Sequence, residues 1–126
     1  MKLFIIDDSL MIYEGLNTLL SGLKDVEIVG RAGTEREAVE FIERLRPDVV
    51  ILDIRLQSGN GIDVLRKIKT PGEPSPVIIV LTNYPYPQYR KKCLALGAEY
   101  FLDKVTEIEK LPDIFQRLAR QGKSLS

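Results

Sequence analysis

The stretch Pro47-Asp48-Val49-Val50-Ile51-Leu52-Asp53-Ile54-Arg55-Leu56 decides how this chain is read. Its middle, Val49–Leu52, is apolar at every position and rich in β-branched residues, so it has no face suited to water. Such a run fits a central parallel strand covered by helices on both sides. Before it, Thr34 with Glu37 three positions on forms a capping-box signature. Ala38, Val39, Phe41, Ile42 and Leu45 follow at helical spacing, and Pro47 ends that helix. After it, Gly59-Asn60-Gly61 marks a turn, and Ile62, Val64, Leu65 and Ile68 mark another helix.

The same alternation extends in both directions. Leu3–Ile6 reads as a first strand, stopped by Asp7 and Asp8, and Met11, Ile12, Leu16, Leu19, Leu20 and Leu23 follow at helical spacing. Val26–Val29 reads as a second strand ending at Gly30. Beyond the loop Pro71–Pro76, Val77–Leu81 is a fourth strand. A fourth helix is expected to start near Pro87 or Gln88 and to close at Gly97. Tyr100-Phe101-Leu102 gives a short fifth strand. Ile108, Leu111, Ile114, Phe115 and Leu118 give a fifth helix, with Pro112 in its first turn. Strict β-α alternation implies an α/β domain, a doubly wound parallel sheet with five helices over its two faces. One domain over 1–121 is expected, followed by a frayed polar tail, 122–126.

Composition narrows the chemistry. Lys plus Arg and Asp plus Glu both number 18, so the chain carries no net charge and no overall pull toward nucleic acid or an anionic membrane. Nucleic-acid binding by this domain alone is not expected. With no histidine, His-based metal sites and His acid–base catalysis are excluded. Cys93 is the single cysteine, so no internal disulfide forms, and it reads as a small buried hydrophobe. No apolar run has signal-peptide or membrane-spanning character, and a reducing, cytoplasmic location is the expectation.

The polar residues fall at the strand ends. The first strand ends in Asp7-Asp8, the third in Asp53 and the fourth in Thr82, while the fifth runs to Lys104. In an open parallel sheet these carboxyl ends converge on one crevice. Two carboxylates held about 5 Å apart repel by roughly 3 kcal/mol at an effective dielectric near 20. A hard divalent cation relieves that repulsion. Mg²⁺ favours one or two carboxylates with waters and phosphate oxygens, so the set asks for Mg²⁺ together with a phosphoryl group. Asp53, held at the end of a central strand, is the best candidate nucleophile. Lys104 and the Thr82 hydroxyl would then meet phosphoryl oxygens.

The ordered set Asp7-Asp8 in LFIIDDS, Asp53 in VVILDIRL, Gly61 in GNGIDVL, Thr82 in VIIVLTN and Lys104 in GAEYFLDK resembles the receiver domain of two-component signalling, over nearly the entire chain. The resemblance implies the flavodoxin-like strand order 2-1-3-4-5. It implies that Asp53 accepts a phosphoryl group from a histidine kinase or histidine phosphotransfer protein. Asp8, Asp53 and the Arg55 backbone carbonyl would hold Mg²⁺, with Asp7 acting through water. Thr82 would swing toward the phosphoryl group, and Phe101, in the place of the switch aromatic, would rotate inward. That motion would remodel the surface of the fourth helix, fifth strand and fifth helix, where a protein target or a phosphorylation-dependent second copy would bind. Such a chain is a signalling switch that catalyses only its own phosphorylation and dephosphorylation.

Several positions depart from the pattern. Val105 stands after Lys104 where the family usually has proline, so a looser or different turn is expected there. Asn83 follows Thr82 where a smaller residue is commoner, and the segment Asn83-Tyr84-Pro85-Tyr86-Pro87 is stiff and aromatic. Arg55 and Tyr84, two residues after Asp53 and Thr82, are expected to restrict attacking water and lengthen the phosphoryl lifetime. A haloacid-dehalogenase-type phosphohydrolase would need an acid at Arg55, and a flavodoxin would need a phosphate loop where Asp7-Asp8-Ser9 stands; both readings fail on those residues. Two outputs remain open: a stand-alone receiver, which the polar ending Gln121–Ser126 favours, or the receiver part of a DNA-binding transcription regulator. A phosphorylation-independent interaction module is the further alternative.

Overall fold

The computed structural model describes the backbone of residues 1–125 and the side chains of 1–122. In chain order the elements are β1 (Lys2–Ile6), α1 (Leu10–Leu20), β2 (Glu27–Ala32), α2 (Glu35–Leu45), β3 (Val49–Leu52), α3 (Gly61–Ile68), β4 (Val77–Thr82), α4 (Pro87–Ala95), β5 (Tyr100–Asp103) and, after a 3₁₀ turn at Ile108–Lys110, α5 (Leu111–Leu125). The strands form one sheet in the order β2-β1-β3-β4-β5, every pair parallel. This is the strand order that the resemblance implied.

The alternation of strand side chains divides the core in two. Phe4, Ile6, Val50, Leu52, Ile78, Val80 and Phe101 pack with Ala38 and Ile42 of α2, Val64 and Leu65 of α3 and Cys93 of α4. Leu3, Ile5, Val49, Ile51, Ile79, Leu81 and Leu102 pack on the other side with Leu16 and Leu20 of α1 and Leu111, Ile114 and Phe115 of α5. Both faces of β3 are covered, which is why its sequence shows no polar alternation. Cys93 is buried, as expected.

Two local expectations are corrected. β2 does not stop before Gly30 but continues to Ala32, because its pairing with β1 resumes past a register shift between Leu3 and Phe4. Gly30 is accommodated there since a Cβ on it would lie 3.1 Å from the Phe4 ring. At the start of α2 the Thr34 hydroxyl accepts from the Glu37 N–H, but the Glu37 carboxylate accepts from that hydroxyl rather than from the Thr34 N–H, so the capping box is only half formed. Gly97 takes φ +108°, a conformation that favours glycine, and ends α4 as expected. The backbone of α5 runs to Leu125, and of the expected tail 122–126 the side chains from 123 onward lie outside the described residues.

Candidate functional site

The parallel ladders run past the formal strand ends and set the site. The Asp7 N–H donates to the Ala32 carbonyl at 2.9 Å, the Asp53 N–H to Ile6 at 2.9 Å, and the Lys104 N–H to Thr82 at 2.8 Å. These bonds fix the backbone of each polar residue before its side chain is considered. Ser9 caps α1 by accepting the Ile12 N–H, while its own N–H donates to Asp7 Oδ1 at 2.8 Å.

The side chains of Asp7, Asp8, Asp53 and Lys104 converge, and Thr82 is buried at the end of β4. Asp7 is 2% exposed, Asp53 6%, Thr82 0% and Lys104 7%. The Lys104 ammonium donates to Asp7 Oδ2 at 2.7 Å and to Asp53 Oδ2 at 3.0 Å. Asp53 Oδ1 accepts from the Ile54 N–H at 2.8 Å. Asp8 is exposed, and one oxygen from each of Asp7, Asp8 and Asp53 lies within 4.8 Å of the others. Burial pushes the Asp53 carboxyl above its ordinary range despite the opposing pull of Lys104. Burial alone would pull the Lys104 ammonium down, but hydrogen bonds and charge from Asp7 and Asp53 outweigh it and hold its proton more tightly.

Three ionised carboxylates facing one ammonium leave two uncompensated negative charges, which a divalent cation neutralises. The donors are all hard oxygens, without the imidazole or thiolate that softer metals prefer. The residues present therefore fit Mg²⁺, and the acidic group could hold such an ion.

The loop after Asp53 is held close. The Gly61 N–H donates to the Ile54 carbonyl at 2.7 Å, and a Cβ at Gly61 would lie 2.0 Å from the Asp53 backbone oxygen. Across the neighbouring loop, the Gln57 N–H donates to Gly33 at 3.0 Å and the Glu35 N–H to Ser58 at 2.9 Å. Glu35 also accepts from the Asn60 N–H and pairs with Lys67 at 2.9 Å, contacts that hold its carboxyl below the usual range. No pattern in the sequence marked Glu35, because its partners come from a different β-α unit.

The departures are placed as follows. Val105 is 78% exposed, and its N–H, which a proline would lack, donates to Asp103 Oδ1 at 2.8 Å. Glu107 accepts from the Asp103 N–H at 3.0 Å, so two carboxylates hold the turn after Lys104; neither was singled out from the sequence. Asn83 is exposed. Phe101, expected to turn inward, already lies inward at 5% exposure, with the Arg90 guanidinium donating to its carbonyl at 3.2 Å. The Arg55 guanidinium carbon lies 4.0 Å from the centre of the Tyr84 ring. A broad surface groove between α2, α3 and the Pro74–Pro76 segment contains none of these residues.

Residues 3–116 match the family model of the response regulator receiver domain. Transcriptional regulatory protein DesR of Bacillus subtilis is 31% identical over 124 residues, covering 98% of this chain and 60% of DesR. The chain is 33% identical to the DNA-binding transcriptional activator DevR/DosR of Mycobacterium tuberculosis, over 82% of this chain and 47% of that protein. The chain thus spans about half to three-fifths of the length of these relatives. Among solved structures, a DNA-binding response regulator of the LuxR family from Staphylococcus aureus superposes with TM-score 0.82 at 27% identity, covering 92% of this chain and 96% of that one. With the family model spanning nearly the whole sequence and these relatives agreeing, the chain belongs to the response regulator receiver domain family.

Proposed function

We propose that this receiver domain is a switch in which Asp53 takes a phosphoryl group with Mg²⁺ and thereby changes the surface formed by α4, β5 and α5. The observation that carries the reading is the buried Lys104–Asp53 pair, set at the end of a central strand beside two further carboxylates. The donor would be the phosphohistidine of a histidine kinase or phosphotransfer protein, or a small acyl phosphate. An Asp53 carboxylate oxygen attacks the phosphorus. The bond from phosphorus to the donor nitrogen or oxygen breaks with its electron pair, and imidazole or the donor's carboxylate leaves, so that an acyl phosphate stands on Asp53. Asp8, Asp53 and the Arg55 backbone carbonyl would hold Mg²⁺, with Asp7 acting through water, and the ion would supply charge neutralisation for the transferring group.

The chain's own residues do the positioning. The Ile54 N–H holds one Asp53 oxygen, and Lys104 sits 3.0 Å from the other, where it would stay with a phosphoryl oxygen. Thr82 and Phe101 carry the switching role, while Arg55 and Tyr84 restrict water and lengthen the phosphoryl lifetime. The catalysis is limited to the domain's own phosphorylation and dephosphorylation. Its setting is cytoplasmic, and it acts as a monomer or as a phosphorylation-dependent dimer. The relatives named as transcriptional regulators fit a receiver part of a DNA-binding regulator, without favouring it over direct binding of a protein target.

The test is intact mass after incubation with Mg²⁺ and acetyl phosphate, beside Asp53→Asn. One added phosphoryl group in the wild type only, abolished by chelator, is the expected result. No gain in mass, with Mg²⁺ also failing to bind, would leave a phosphorylation-independent interaction module.

A further inference from the structure

Tyr84 is held by two groups that a phosphoryl group on Asp53 would also attract. Its backbone N–H donates to Thr82 Oγ1 at 3.0 Å. Its ring lies under the Arg55 guanidinium, with the guanidinium carbon 4.0 Å from the ring centre, well inside cation–π range. Thr82 is fully buried at the end of β4, next to β3, and Arg55 lies two residues beyond Asp53. The two anchors thus come from different β-α units and meet on one residue.

A phosphoryl group brings close to two negative charges and three strong acceptor oxygens. Charge-assisted hydrogen bonds to those oxygens are stronger than an exposed cation–π contact or a neutral hydrogen bond. The guanidinium of Arg55 and the hydroxyl proton of Thr82 are the donors such a group would draw. Engaging Arg55 strips Tyr84 of its stack, while Thr82 can donate its proton to the group and still accept from the Tyr84 N–H. The Tyr84 ring rests against Tyr86 at 6.3 Å between centres, and Tyr86 against Tyr89 at 5.7 Å. Tyr86 occupies the N-cap of α4 without a side-chain hydrogen bond, and Pro87 opens the helix. Pro85 and Pro87 leave the segment few ways to absorb a displacement locally.

We propose that Tyr84 is a positioning residue that competes with the phosphoryl group for Arg55, and that breaking the Arg55–Tyr84 stack shifts the Tyr84–Tyr86–Tyr89 cluster at the start of α4. The inference rests on the reading of Asp53 as phosphoacceptor. It deepens that reading by naming how the site is tied to a surface element.

The chain has five tyrosines and no tryptophan, so its near-UV circular dichroism includes this cluster of three without a tryptophan background. The experiment uses beryllofluoride with Mg²⁺ as a stable phosphoryl mimic, with affinity read by calorimetry. Tyr84→Leu removes the ring and keeps the N–H, and it should bind beryllofluoride about two- to fivefold more tightly, the range that an exposed cation–π contact spans. Tyr84→Phe keeps the ring and should match the wild type. In an Arg55→Ala background, Tyr84→Leu should bring no gain, since no stack remains to release. The near-UV tyrosine signal of the wild type should change on binding. Unchanged affinity in Tyr84→Leu, an equal gain with Arg55 already removed, or an invariant tyrosine signal would overturn the proposal. No beryllofluoride uptake by the wild type, together with no mass gain from acetyl phosphate, would overturn the acceptor reading and this proposal with it.

Discussion

Gly61 lies so close to Asp53 that a Cβ placed on it would sit 2.0 Å from the Asp53 backbone oxygen. Backbone on both sides of that contact is hydrogen-bonded, Asp53 to Ile6 and Gly61 to Ile54, so neither can give way cheaply. The approach brings the first turn of α3 against the end of β3. Gly61→Ala is therefore expected to destabilise the fold by about 3 kcal/mol or more, at or above the upper end of ordinary overpacking. Urea unfolding checks this, and a cost below about 1 kcal/mol would mean that the loop yields easily.

Lys104 compensates two buried carboxylates at once, Asp7 at 2.7 Å and Asp53 at 3.0 Å. Lys104→Met leaves those charges buried without their cation and should cost about 3–5 kcal/mol at neutral pH. The loss has a direction in pH. Because burial raises the Asp53 carboxyl above its ordinary value of 3.8, the native state binds that proton more tightly than the unfolded chain does. That contribution to stability is fully present below the ordinary value and is lost as pH rises through the raised one. The variant's deficit should accordingly shrink as pH falls from 7 toward 5, and adding Asp53→Asn should recover part of it. Chemical denaturation across that pH range measures both effects.

Asp8 is the exposed member of the carboxylate trio, so its removal disturbs no packing. In the metal-free chain, Asp8→Asn relieves repulsion and should raise the melting temperature slightly. Mg²⁺ at tenfold over its dissociation constant should stabilise the wild type by about 1.4 kcal/mol, a shift of a few degrees. The variant should lose most of that gain. Thermal melts with Mg²⁺ and with chelator test the pair of opposite signs. Equal Mg²⁺ stabilisation in both proteins would remove Asp8 from the ligand set.

Cys93 is the buried residue of α4, and burial pushes its thiol up to about 11. At pH 8 only about one thiol in a thousand is then ionised. The native protein should react with a disulfide reagent such as Ellman's only as fast as it opens, while urea should expose the thiol at once. Rapid native labelling would mean that the α4 packing is looser than the structure has it.

Much of this protein is written along one dimension. Unbroken apolar runs at Val49–Leu52 and Val77–Leu81, helical spacing between them and single polar residues at the strand ends were enough to anticipate the sheet, its helices and the convergence of Asp7, Asp8, Asp53 and Lys104. Periodicity is a local property, so it survives in the sequence. What depends on register between distant segments does not. β2 reaches Ala32 only because β1 pairs with it that far. The Lys104–Asp7 contact joins residues 97 apart, and Glu35 reaches Lys67 across 32. The turn that Asp103 and Glu107 hold after Lys104 and the Arg55 guanidinium over Tyr84 follow from loop conformations that no spacing encodes. Local pattern thus determined which residues face the site. Only the packed sheet, by setting strand register and pinning the loops, decided which of them touch.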